Sequence, residues 1–78
     1  MAKAKYIIVE RNEMDIPIVF SPFLQHADVA RGLRNLVSAG FCSKTSNGWE
    51  CWGGSVSLQI NSRPVDAMIL NKTLEYDI

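Results

Sequence analysis

The segment SNGWECWGG holds the residues best suited to chemistry, because it places Trp49, Cys51 and Trp52 within four positions. A thiol reacts, or binds a metal ion, as the thiolate. Cys42 and Cys51 lie nine positions apart, whereas redox and zinc sites use a short Cys-x-x-Cys spacing. The sequence therefore predicts two reduced thiols that act as small apolar side chains. A strained cross-strand disulfide is the open alternative.

His26 is the single histidine, and a catalytic role would require a nucleophile beside it. It falls in the first turn of a predicted helix, on the apolar side, which favours a structural residue at the edge of the core. The eight carboxylates show no paired spacing of the kind used in acid–base catalysis. We therefore expect a protein that is not an enzyme, without catalytic residues, cofactor or metal.

The composition narrows the function classes further. The 78 residues predict one domain, over residues 1–78, with a thin core. Eight Lys and Arg balance eight Asp and Glu, and this zero net charge argues against nucleic-acid binding. No apolar run approaches the roughly 18 residues of a membrane helix, and the start MAKAKYIIVE lacks a signal-peptide pattern. These features predict a cytoplasmic protein.

Two strands are predicted before the first helix, KYIIVER (Lys5–Arg11) and IPIVFS (Ile16–Ser21), joined by the polar turn NEMD. A four-residue loop would pair Val9 with Ile18. Alternation then gives a core face and an unusually apolar outer face. The core face holds Ile7, Val9, Ile16, Ile18 and Phe20, and the outer face holds Tyr6, Ile8, Pro17 and Val19. Pro17 cannot donate to a ladder, which predicts an edge strand or a strand start.

Two helices are predicted. The apolar spacing from Val29 to Val37 predicts a helix over His26–Ser38, with Gly40 as its left-handed C-terminal residue. SRPVDAMILNKTLEY (Ser62–Tyr76) predicts the second helix, with Ser62 as N-cap and Asp66 near the positive end of the helix dipole.

Asn47–Gly48 marks a second hairpin with two competing registers. A two-residue turn would pair Ser43 with Trp52, whereas a four-residue loop would pair Phe41 with Trp52 and Cys42 with Cys51. The second register is favoured, because a cross-strand aromatic pair contributes about 0.2–1 kcal/mol.

The residues after this hairpin complete the predicted fold. Gly53–Gly54 predicts a bulge or kink, and VSLQI predicts a strand with Val56, Leu58 and Ile60 facing inward. The element order is then ββαββα. We predict an α+β fold, an antiparallel sheet with two helices packed on one face.

Trp49 and Trp52 are expected on opposite faces of the second hairpin, so that one fills the core and the other projects outward. An outward Trp is typical of a protein interface, although it can also fold over the sheet edge as a lid. The outward tryptophan and the apolar outer faces of the first hairpin and second helix together give more apolar surface than one small core needs. The predicted partner-binding residues are Trp49, Trp52, Leu70, Leu74, Tyr6 and Val19.

The phrases VSAGFC (Val37–Cys42), GGSVSL (Gly53–Leu58) and SRPVDAMIL (Ser62–Leu70) resemble segments of small bacteriophage- and prophage-encoded proteins that have no assigned function. The resemblance covers roughly the second half of the chain. It implies a bacterial host cytoplasm and a host-directed binding role, and it carries over no active site.

We therefore expect a non-enzymatic protein–protein interaction module that forms a homodimer or binds a host protein, as a phage-encoded modulator. The alternative is a nucleic-acid-binding accessory protein, in which the tryptophans combine with basic residues to form a stacking and phosphate-binding surface. Those basic residues are Arg31, Arg34, Lys44 and Arg63. A cysteine-dependent enzyme is the third hypothesis. No membrane and no small-molecule substrate are expected as partners.

Overall fold

The computed structural model describes residues 3–74. In chain order its elements are β1 (Ala4–Arg11), β2 (Met14–Phe20), α1 (His26–Ala30), β3 (Leu36–Thr45), β4 (Gly48–Trp52), β5 (Gly54–Ser55), β6 (Ile60–Asn61) and α2 (Asp66–Leu74). Strands β1 to β4 form an antiparallel sheet in the order β2-β1-β3-β4, and β5 pairs with β6 in a separate two-stranded sheet. The predicted α+β class is confirmed, but the observed order differs from ββαββα because two short strands precede α2.

Strand β1 lies inside the sheet and is buried on both of its faces. Tyr6 and Ile8 point to one face, where Leu70 of α2 is buried with them. Ile7 and Val9 point to the other face, where α1 contributes Ala30. We call these two sides the α2 face and the α1 face of the sheet.

The two helices therefore lie on opposite faces, and the prediction that both pack on one face is wrong. The reason is visible in the run Tyr6–Val9, which is apolar at every position, whereas a strand with one covered face alternates. Fully burying one such side chain stabilises the fold by roughly 1.5–3 kcal/mol. Packing another element against each face of β1 is therefore favourable. Much of the apolar surface that the sequence assigned to a partner is covered by α2.

The first hairpin turns more tightly than predicted. Asn12 and Glu13 form a two-residue turn with φ of 53° and 65°, the left-handed geometry of a type I′ hairpin. Val9 consequently lies opposite Ile16 and not Ile18. The pairing of β2 with β1 is therefore shifted by two residues from the predicted register. Because side chains alternate between the two faces of a strand, an even shift leaves every side chain on its predicted face. β2 is an edge strand, as Pro17 indicated.

Helix α1 begins at His26 as predicted but has five residues, so the predicted end at Ser38 is wrong. Gly32 (φ 84°) and Asn35 (φ 60°) adopt left-handed conformations that turn the chain out of the helix. Leu36 then begins β3, which pairs with β1 along most of its length. This long-range pairing outweighs the helical spacing of the apolar residues.

Gly40 lies inside β3 and does not end a helix, so that prediction is also wrong. An added Cβ at Gly40 would lie 2.5 Å from the backbone oxygen of Trp52 and 3.3 Å from Cε1 of Tyr6. The position therefore requires glycine because the neighbouring chain passes so close, and not because of its φ angle.

The second hairpin adopts the favoured register, with Phe41 opposite Trp52 and Cys42 opposite Cys51. The predicted four-residue loop is wrong, however, because Thr45 still pairs with Gly48 and leaves only Ser46 and Asn47 as the turn. Gly53, at φ 75°, turns the chain out of β4, which confirms the predicted kink. The cross-strand aromatic pair is thus formed as the sequence indicated.

The predicted strand over VSLQI is wrong. The segment between β5 and β6 is a turn, in which Gln59 has a φ of 57°. Leu58 and Ile60 pack against the core on the α1 face, as predicted, but Val56 is 95% exposed.

Helix α2 begins at Asp66, later than the predicted N-cap Ser62. The Ser62 hydroxyl instead donates to a backbone carbonyl outside the helix, at 2.8 Å. Asp66 accepts a hydrogen bond from the backbone N–H of Arg63 at 2.9 Å, as the acidic residue of a capping box does. The predicted continuation to Tyr76 lies outside the described residues.

Candidate functional site

The structure changes the set of residues that could contact a partner. Of the six predicted residues, Tyr6 and Leu70 are fully buried, so their assignment is wrong. They are buried because α2 covers this face of β1. Val19 and Trp49 are partly buried against the same core. Trp52 and Leu74 keep exposed fractions of 41% and 37%.

The two tryptophans have different surroundings. Trp49 packs beside the core on the α2 face, and the Nζ atom of Lys44 lies 5.7 Å from its ring. Trp52 stacks on Phe41, with ring centroids 6.3 Å apart. Phe41 pairs with Lys5, which shares the face of Ile7, so Trp52 lies on the α1 face. Trp52 is therefore the outward tryptophan.

A row of aromatic rings crosses the sheet on the α1 face. Phe20, Lys5, Phe41 and Trp52 are successive cross-strand neighbours. His26 lies between the two phenylalanines, with its ring centroid 5.5 Å from Phe20 and 6.0 Å from Phe41, edge to face in both cases. We call Phe20, His26, Phe41 and Trp52 the aromatic row. Edge-to-face and offset-stacked contacts are the favoured geometries of such rings.

His26 anchors the start of α1 to the sheet. Its Nε2 lies 3.0 Å from the carbonyl oxygen of Gly40, and its side chain is buried. Cys42 and Cys51 pack with the core on the α2 face, so the sheet backbone separates both thiols from His26. A cysteine–histidine catalytic pair is therefore not assembled, and His26 is the structural residue at the core edge that the sequence favoured.

A groove of about 390 Å³ adjoins the aromatic row. Its lining residues come from β1, the start of α1, β3 and the β5–β6 turn; they are Lys5, Gln25, His26, Phe41, Gly54, Ser55, Val56 and Ser57. Lys5 donates from Nζ to the carbonyl of Leu24 at 2.8 Å. The Nζ atom of Lys3 lies 4.7 Å from the Phe41 centroid, within cation–π range. We call this feature the aromatic groove.

The rim of the aromatic groove is strongly apolar. Val56, which lines the groove, is 95% exposed. Phe23 is 93% exposed and precedes Leu24, whose carbonyl accepts from the groove residue Lys5. Val56 lines the groove, and Trp52 stacks on the groove residue Phe41, so both leave apolar surface at the groove that the domain itself does not cover. Sequence reasoning missed Phe23 and Val56, since Phe23 lies in an irregular segment and Val56 was assigned to a strand.

Two of the four basic residues predicted for nucleic-acid binding are paired with carboxylates. Arg31 pairs with Asp28 at 3.1 Å. Arg63 pairs with Asp66 at 3.0 Å and with Asp15 at 3.4 Å. These carboxylates neutralise two of the four cations that the hypothesis relied on.

Sequence reasoning also missed a buried polar cluster on the α2 face. The Tyr6 hydroxyl donates to the Asp66 carboxylate, and the partly buried Cys51 packs against the same core cluster. Burial, with the Asp66 carboxylate nearby, raises the pKa of Tyr6 well above its ordinary value. The one sequence signal for this cluster was the spacing of Asp66 and Leu70. Residues four apart share a helix face, so Asp66 lies on the same face as the apolar Leu70.

The same burial acts on both thiols. It raises the pKa of Cys42 to about 12 and the pKa of Cys51 to about 11. A nucleophilic cysteine needs a lowered pKa, since the thiolate is the reactive form. Neither thiol therefore has the surroundings of a catalytic cysteine.

Comparison of the chain with protein-family models, curated proteins and solved structures gives no match. Within residues 3–74, no three His, Cys, Asp or Glu side chains are grouped so that they could hold a metal ion. No helix in that part of the chain is long and apolar enough to cross a membrane.

Proposed function

We propose that this protein is a non-enzymatic protein–protein interaction module that binds an extended segment of another protein in the aromatic groove. The observation that carries the proposal is the exposed rim of that groove. Val56 lines the groove and is almost fully exposed, and the partly exposed ring of Trp52 stacks on the groove residue Phe41. Large apolar anchors around a concave site are typical of interface hot spots.

The chemistry of the groove defines its occupant. Lys5 lines the groove, and Lys3 lies over the ring of Phe41. Among the described residues that line the groove there is no carboxylate. The partner segment should therefore combine an aromatic or aliphatic side chain with Asp or Glu, so that apolar burial and charge complementarity act together.

Both edges of the sheet disfavour binding by strand addition. In the edge strand β2, Pro17 has no N–H to donate. In the edge strand β4, the N–H of Trp49 already donates to Oδ1 of Asn71 at 2.8 Å. These are recognised ways of protecting a sheet edge. Binding through side chains in the groove is thus better supported than pairing between strand edges.

The resemblance to phage-encoded proteins supports a partner from the bacterial host, and hence a role as modulator of a host protein. A second copy of the chain is a different occupant of the groove, and the state of the protein in solution distinguishes the two. Sedimentation of the purified protein as a monomer favours the host segment. If the protein instead forms a concentration-dependent dimer that Val56→Glu dissociates, the occupant of the groove is a second copy and not a host segment.

The proposal is tested by titrating three matched peptides that share one aromatic residue and differ in carrying Glu, Ala or Lys beside it. We expect the Glu peptide to bind best, with amide chemical-shift changes concentrated at the aromatic groove. Val56→Glu should weaken its binding roughly tenfold, because it adds a like charge and removes a rim contact. Met68→Glu is the control, since Met68 is 61% exposed on α2. Equal binding of all three peptides, or equal loss in both variants, would contradict the proposal.

Nucleic-acid binding is the second candidate, and one observation favours it. The exposed stack of Trp52 on Phe41 lies beside Lys3, and an aromatic face with nearby cations suits a nucleotide base and its phosphate. Titration with an unstructured oligothymidylate at low salt tests it. Binding that weakens steeply with salt and is lost in Trp52→Ala would favour nucleic acid over the peptide.

A further inference from the structure

We propose that Cys42 and Cys51 are a modification site, at which a small-molecule disulfide converts the two thiols into an intramolecular disulfide across β3 and β4. The inference is independent of the aromatic groove, because both cysteines lie with the core on the opposite face of the sheet. Both are free thiols in the structure.

The register places the two residues where a disulfide requires them. Cys42 lies directly opposite Cys51 in the antiparallel ladder. Residues directly opposite each other in such a ladder have Cα atoms about 4.5 or 5.5 Å apart, and their side chains leave the sheet on the same side. Both separations fall within the roughly 4.4–6.8 Å that a disulfide spans. The register is therefore compatible with the bond.

The difference in burial sets the order of the reaction. Cys51 is partly exposed, whereas Cys42 is fully buried. The Cys51 thiolate attacks the oxidant disulfide and releases one small thiol, which takes up a proton. The Cys42 thiolate then attacks Sγ of Cys51 and releases the second small thiol. Two protein thiols are oxidised and one oxidant disulfide is reduced to two thiols, so electrons and protons balance.

Oxidation would also alter the buried polar cluster. Cys51 packs against the core cluster that holds Tyr6, and the Tyr6 hydroxyl donates to Asp66 of α2. A disulfide removes the thiol proton of Cys51 from this cluster. The state of the thiol pair is thereby connected to the contact that holds α2 on the sheet.

The experiment treats the folded protein with oxidised glutathione and follows intact mass and peptide maps. We expect loss of two hydrogen atoms, a Cys42–Cys51 cross-link and a higher urea midpoint. The reaction should accelerate as the pH rises from 7 toward the raised thiol pKa values. Guanidinium-unfolded protein serves as a control for the activity of the oxidant.

Two serine variants test the order of attack. Cys42→Ser should stop at one glutathione attached to Cys51, because the resolving thiol is missing. Cys51→Ser should leave Cys42 unmodified in the folded state. The proposal is overturned if the wild-type protein keeps a glutathione on Cys51, forms a cross-link between chains, or stays reduced while the unfolded control oxidises.

Discussion

The hydroxyl of Tyr6 donates a 2.5 Å hydrogen bond to Oδ2 of Asp66, which joins the buried strand β1 to the first residue of α2. Both side chains are fully buried. Asp66 also accepts from the backbone N–H of Arg63 at 2.9 Å and from its Nε at 3.0 Å. The carboxylate is therefore buried with three donors around it, and this satisfies the usual requirement for a buried charge.

Removing this charge should destabilise the protein strongly. Asp66→Asn puts an amide donor among three existing donors, and we expect a loss of about 3 kcal/mol in the free energy of unfolding. Urea denaturation measures the change. Asp28→Asn is the matched control, since it breaks a surface pair with Arg31 at the same three-residue spacing and should cost less than about 0.5 kcal/mol. Similar losses in the two variants would show that the buried cluster adds little.

The protein should lose stability in alkali. Burial raises the pKa of Cys51 to about 11 and of Cys42 to about 12 from an ordinary 9.0, and the pKa of Tyr6 is raised as well. The unfolded chain therefore releases these protons first, so the stabilisation is complete below pH 9 and falls as the pH rises through the folded values. Urea midpoints measured from pH 7 upward test this. Cys42→Ala should show a shallower decline, and an unchanged slope would contradict the assignment.

A side chain at Gly40 should destabilise the protein more than one at Gly32. Gly40→Ala forces the Cβ toward the backbone oxygen of Trp52, only 2.5 Å away, and we expect a loss of about 2–3 kcal/mol. The comparison is Gly32→Ala, which meets no atom within 4 Å but has a φ of 84°. Its left-handed strain should cost about 1 kcal/mol. Thermal denaturation ranks the two variants, and the reverse ranking would show that β3 and β4 separate easily.

Asn71 should protect the outer edge of the sheet. Asn71→Ala leaves the N–H of Trp49 in β4 without its side-chain acceptor, and we expect a loss of about 1 kcal/mol. An unprotected strand edge also promotes association between copies, so light scattering should rise faster with concentration. Thr73→Ala, two residues along α2, is the control. If both variants scatter equally, the amide of Asn71 does not guard the edge.

The parts of the fold that depend on neighbouring residues could be predicted. The turn signal left two registers open, the preference for a cross-strand aromatic pair favoured Phe41 opposite Trp52, and the structure confirms that pairing. The first turn was misjudged because Glu13, with φ 65°, is an unusual residue for a left-handed position. Its strain is offset by the ladder that it allows.

The parts that depend on distant residues could not be predicted from local pattern. The spacing of Leu33, Leu36 and Val37 suits a helix, but β1 needs a second neighbouring strand, and β3 supplies it. The aromatic groove also depends on residues that are distant in the sequence. Val56 and Phe41 line one groove only because β5 and β6 lie against β3, so no sequence interval marks the two as neighbours.

Burial of β1 on both sides has a consequence for synthesis. The run Tyr6–Val9 leaves the ribosome ahead of every residue that will cover it, and Leu70 must emerge before the α2 face is closed. Until then, the apolar side chains of β1 on the α2 face are not covered by α2. A chaperone that binds unfolded apolar segments would therefore bind this run. The nascent chain is most prone to aggregation between the emergence of Tyr6–Val9 and that of Leu70.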